Sequence, residues 1–181
     1  MPKQTVMIVS ERNAKPTLMP AETEESIGGQ RLRKVFQSWR SLRGDKSAPT
    51  VEEFDPCLFK KVSGTMAMIE VVRDNGEFGF HFLALGSGLI DRFPSIFYGS
   101  RVEELEDSKV RDELMQRYRH VATTGKPYVA RYNRHLHNSS LSYEALTMPL
   151  IDATSGDVTR LVSVVIYYPE HEFQRRFGRG Q

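Results

Sequence analysis

Between residues 30 and 43 apolar side chains return at every third or fourth position, at Leu32, Val35, Phe36, Trp39 and Leu42, while the other face carries Arg31, Arg33, Lys34, Arg40 and Arg43. This spacing predicts an amphipathic helix that Gly44 ends. Asp55 before Pro56 reads as an N-cap with proline at the first helical position, opening a short turn that buries Leu58, Phe59 and Val62. A longer helix starts at Asp107 or Ser108, carries the stripe Val110, Leu114, Tyr118, Val121 and Ala122, and stops at Gly125 and Pro127. Elsewhere the pattern alternates. Residues 66–73 and 78–85 flank Asn75-Gly76, a type I′ hairpin dipeptide, and three further β segments follow at 127–137, 141–150 and 159–168. The last reads almost wholly apolar from Leu161 to Tyr168, as a central strand covered on both faces does. The order implies an α+β fold with a five-stranded antiparallel sheet in which 159–168 pairs with 66–73.

Residues 1–29 lack this periodicity. Three prolines, the acids Glu22, Glu24 and Glu25, and Gly28-Gly29 predict a disordered leader before a domain at 30–168, with 169–181 as a short C-terminal tail. The whole chain, 181 residues with 39% hydrophobic and 27% charged side chains, suits one globular domain. A net charge of +2 rules out a strongly cationic nucleic-acid binder as the default, so no nucleic-acid partner is expected, and no apolar run is long enough to span a membrane, so cytoplasm is the expected compartment. With one cysteine, Cys57, no disulfide or multi-cysteine metal site forms within the chain.

The candidate chemistry is sparse. Gly86-Ser87-Gly88 resembles half of a dinucleotide fingerprint, but Asp91 stands where the third glycine belongs, so a strand-to-helix turn needing positive φ is the simpler reading. His135 and His137 share a strand face at a spacing that can hold a metal, without a carboxylate or cysteine nearby in sequence. Cys57 stands in a first helical turn, where its pKa can fall, though a buried inert cysteine is the commoner case. Arg117, Arg119, Lys126, Arg131 and Arg134, interleaved with Tyr118, Tyr128 and Tyr132, read as a solvated basic face.

The order of elements, with Trp39-Arg40-Ser41-Leu42-Arg43, Phe54-Asp55-Pro56, Phe82 to Gly86-Ser87, Gly99, Thr124-Gly125-Lys126-Pro127 and Tyr143-Glu144-Ala145-Leu146 in sequence, resembles PAS domains. The closer likeness is to a bacterial single-domain subfamily with a leading W-x-x-L-R helix. Leu83 and Ile96 stand where that subfamily often carries an arginine and an acid. The resemblance implies a PAS-like sheet with flanking helices and an extra N-terminal helix. It also implies a non-enzymatic sensory or regulatory role, with a pocket between sheet and helices that binds a small apolar ligand or responds to a partner, and with output through an unknown downstream signalling protein. Pocket candidates are Phe80, Phe82, Leu114, Tyr143, Ala145, Val164 and Ile166, with the Leu83–Leu85 row as a rival face. A filled core is the alternative. Leu32, Val35, Phe36 and Trp39 are the candidates for joining a homodimer, or else they fold back onto their own sheet. No cofactor is expected; His120 and His81 are the only near candidates for haem. Two other classes compete: a cone-shaped α+β isomerase or hydratase using Glu70, His81 and Glu144, and a ligand-free interaction scaffold.

Overall fold

The computed structural model describes residues 17–21, 23–136 and 139–178. Six antiparallel strands form one sheet, in the order β1 (Thr17–Pro20), β4 (Tyr128–Leu136), β5 (Ser139–Ile151), β6 (Val158–Tyr168), β2 (Met66–Asp74) and β3 (Glu77–Leu85). The expected pairing of the last strand with the first hairpin holds, with Ala67 opposite Ser163 and Ile69 opposite Leu161. Asn75 and Gly76 both take positive φ, 49° and 84°, as a type I′ turn requires.

The sixth strand comes from the leader. Residues 17–20, expected to be disordered, pair with β4 from Thr17↔Arg131 to Pro20↔Tyr128, and Ala21 and Ile27 are buried. Four residues bounded by a proline are too few to show a period, so the strand leaves no trace in the hydrophobic pattern. The C-terminal tail likewise contains a helix, here α4 (Glu170–Phe177).

Helix α1 (Gln30–Arg43) buries Leu32, Val35, Phe36 and Trp39 in the chain's own core. The Trp39 indole donates to the Pro149 carbonyl at 2.9 Å. β4 runs out opposite Thr147, so the proline leaves no ladder bond broken on that side and the indole takes its carbonyl. The stripe expected to join two subunits is buried inside one chain, against the sheet face that α1 shares with the leader.

Helix α3 (Ser108–Thr124) lies across the other face, capped by the Asp107 carboxylate accepting from the Val110 N–H and ended by Gly125 at φ 65°. The short α2 (Ser87–Ile90) and the segment up to Ser100 close that side. The Phe82 N–H bonds to the Ser100 carbonyl and the Gly99 N–H to the Phe82 carbonyl, which covers part of the edge strand β3. Gly86 is required for space rather than for turning. Its φ is −69°, but a Cβ there would lie 2.3 Å from the Gly64 backbone.

Candidate functional site

In an antiparallel sheet directly paired residues share a face. Ala145 pairs with Val165 and Tyr143 with Tyr167, whereas Val164 pairs with Leu146 and Ile166 with Glu144. The odd-numbered residues of β5 and β6 therefore face α3, and the even-numbered ones face α1 and the leader. Between the odd face and α3 lies a cavity of about 50 Å³, lined by Phe82, Leu85, Ile96, Leu114, Tyr143 and Val165, together with Glu113, Arg117, Tyr118 and Tyr132.

Of the expected pocket residues, Phe82, Leu114 and Tyr143 line this cavity. Phe80 is buried beside it, its ring edge-on to Tyr118 at 5.6 Å, and Ala145 is buried on the same face. Val164 and Ile166 belong to the opposite face, because the register with β5 fixes their parity. The rival rows on β3 are both partly present. The register shifts between Met68 and Ile69, leaving Leu83 without a partner, so Phe82 and Leu85 reach the same cavity across the bulge. Ile96, where relatives were expected to carry an acid, is part of the apolar lining.

The feature missed in the sequence is Arg117. It was assigned to a solvated basic face, yet it is 3% exposed and lines the cavity. Burial opposes its charge, and the phenols of Tyr132, Tyr118 and Tyr143 more than offset this, leaving the guanidinium pKa raised. Its Nε has no hydrogen-bond partner. Tyr132 and Tyr143 stack with ring centroids 4.8 Å apart, and burial pushes the Tyr132 phenol up to about 12. Arg117 falls three residues after Leu114 and four before Val121, within the apolar stripe, and that placement was the available signal.

Arg131, also assigned to the solvated face, is partly buried on the other side of the sheet. Its Nε donates to Glu144 at 3.0 Å and its terminal nitrogen to the Ser26 carbonyl at 2.6 Å. Glu144 is fully buried and accepts from the Gly28 and Gly29 N–H groups at 2.8 and 2.9 Å. Arg119 faces the Glu77 carboxylate at 3.9 Å.

Glu70, His81 and Glu144 do not form a catalytic set in the cavity. Glu70 contacts His81 at 3.8 Å and Arg160 at 3.2 Å, none of the three lines the cavity, and Glu144 is engaged on the far face. His120 packs against Tyr128 at 4.4 Å, away from the cavity. No histidine or cysteine of the described residues lines it, so a haem iron would find no axial nitrogen or sulfur there. Cys57 is exposed rather than buried, and its thiol pKa is raised rather than lowered, because the capping Asp55 carboxylate accepts from the thiol and opposes a thiolate. The His135 and His137 side chains lie outside the described residues. Among the described helices none is long and apolar enough to cross a membrane.

The chain is similar in fold to the PAS domain of Bordetella pertussis BvgS, at 17% identity and a TM-score of 0.45 over 66% of this chain and 90% of that one. A light-oxygen-voltage domain studied with a flavin analogue is similar at 11% identity and a TM-score of 0.42, over 67% of this chain and 90% of that one. An RNA-binding light-oxygen-voltage receptor is similar at 11% identity and a TM-score of 0.45, over 90% of this chain and 40% of that one. No curated protein matches by sequence. A PAS domain family model matches residues 29–166, well over half the chain, and so the protein belongs to the PAS domain family.

Proposed function

We propose that the protein is a non-enzymatic sensory module that binds a small molecule between its sheet and α3 and passes the response to a separate output protein. PAS domains are generally sensory or signalling modules. The observation that carries the reading is the cavity, placed between sheet and helix and lined by groups from β2, β3, α2, α3, β4, β5 and β6. A ligand touching that many elements couples their positions, which a signal needs. The volume, about 50 Å³, suits an occupant far smaller than the drug-sized molecules of typical sites. The apolar walls formed by Phe82, Leu114 and Val165 supply contact area, and the few polar groups supply orientation.

The test is a thermal-shift and methyl-NMR screen of the full chain against neutral and charged compounds of a few heavy atoms. Saturable shifts at Leu114 and Val165 methyls are the expected result. A screen in which no compound moves these signals identifies the chain as a ligand-free scaffold and overturns the reading.

A further inference from the structure

The cavity is lined by a buried cation whose Nε is left without a hydrogen-bond partner. Arg117 is 97% buried by the complement of its 3% exposure, its Nε lacks a hydrogen-bond partner, and among the described residues it pairs with no carboxylate. The contrast with Arg131 is direct, since that guanidinium has the Glu144 carboxylate and a backbone carbonyl. An arginine keeps its charge at any ordinary pH, so burial cannot be relieved by losing the proton. The Tyr118 ring, 5.2 Å from the guanidinium carbon, and the Glu113 carboxylate in the same cavity offset part of that cost, and an anion bound at the open Nε would offset more.

We infer that the cavity receives a small monocarboxylate, with the carboxylate on Arg117 and its short apolar tail against Phe82, Leu114 and Val165. The inference rests on the small-ligand reading above and specifies the ligand's class. A guanidinium fork matches a carboxylate in two parallel hydrogen bonds. Tyr132, lining the same space, stays protonated and adds no competing charge. The size follows from the volume: about 50 Å³ corresponds to roughly four water-sized centres, the scale of acetate or propionate. The single charge follows from Glu113, half-buried one helical turn from Arg117 and lining the same cavity, whose carboxylate repels a dianion more than a monoanion.

The experiment titrates the full chain with acetate and propionate, against acetamide and propionamide, with chloride matching the ionic strength. The readouts are the arginine Nε–H NMR signals, the Leu114 and Val165 methyl signals and the thermal midpoint. The expected result is saturable movement of one slowly exchanging arginine signal with the carboxylates, absent in Arg117→Met, and at least about tenfold weaker binding of the amides. If Arg117→Met does not fold, Arg117→Gln and the carboxylate-to-amide ratio in the unaltered protein give the same decision. Amides that bind as tightly as the acids leave the small-ligand reading standing and overturn the anionic one. So does chloride reproducing the shift, or carboxylate binding that survives loss of Arg117. Silence of the methyl signals toward acids and amides, and toward xenon as an apolar probe, overturns both.

Discussion

Glu144 and Arg117 are buried ionic groups packed against one sheet, one on each face, and their surroundings differ in kind. Glu144 receives two backbone N–H groups and a guanidinium. Arg117 receives the fields of three phenols and faces open volume. The first is a closed arrangement that fastens the leader to the sheet. The second faces a cavity and leaves the arginine Nε without a partner.

The comparison breaks most sharply at Glu144. Removing one partner of a buried ionic group leaves the other uncompensated, so Glu144→Ala should lower stability by about 3–5 kcal/mol in urea denaturation. A loss below about 1 kcal/mol would mean that Arg131 finds solvent and the arrangement is not closed. Arg131→Met should cost less, about 2 kcal/mol, since the carboxylate keeps its two backbone donors. Arg117→Met should change the stability of the ligand-free protein little, within about 1 kcal/mol of zero, because an apolar chain of similar length replaces a buried cation that has an aromatic face but no carboxylate in ion-pair contact. A destabilised Arg117→Met would place that arginine with Glu144 among the structural ions.

A further effect is alkaline. Burial pushes Tyr132 on the Arg117 face and Tyr168 on the Glu144 face each up to about 12, with the Glu144 charge adding to the shift at Tyr168. A phenol whose folded pKa lies above its unfolded value of about 10 is held more tightly protonated in the folded chain. Its contribution is complete below about pH 10 and is lost as the pH rises toward 12, at about 2–3 kcal/mol for the more deeply buried Tyr132. Denaturation midpoints followed with tyrosinate absorbance should therefore begin to fall near about pH 10, and Tyr132→Phe should flatten the fall.

Most of the fold was legible because its elements are long and periodic. The apolar run of Leu161 to Tyr168 identified the central strand, and Asn75-Gly76 identified the hairpin. What escaped was set by neighbours rather than by local pattern. The strand at Thr17–Pro20 exists only because β4 offers an edge. The assignment of Val164 and Ile166 to the cavity failed because parity along one strand says nothing about parity along the next until the register is known. Arg117 was grouped with its basic neighbours in sequence, although its helical position groups it with Leu114 and Val121. The pair Arg131–Glu144 lies directly across a hairpin, and a register argument on 128–151 would have found it.

The attachment of the leader also has a kinetic consequence. The Gly28 and Gly29 N–H groups find their acceptor 116 and 115 residues downstream, and a Cβ at Gly28 would strike the Phe177 ring, which lies later still. During synthesis this segment leaves the ribosome ahead of every strand that it joins, and it must wait for nearly the whole domain before it has a place to dock. Until then the Glu144 carboxylate lacks its two backbone donors and β4 keeps an open edge. Closure over such a separation is entropically late, so capture of the leader is a closing step of folding, and the interval before it is when the chain is most open to association with other nascent copies.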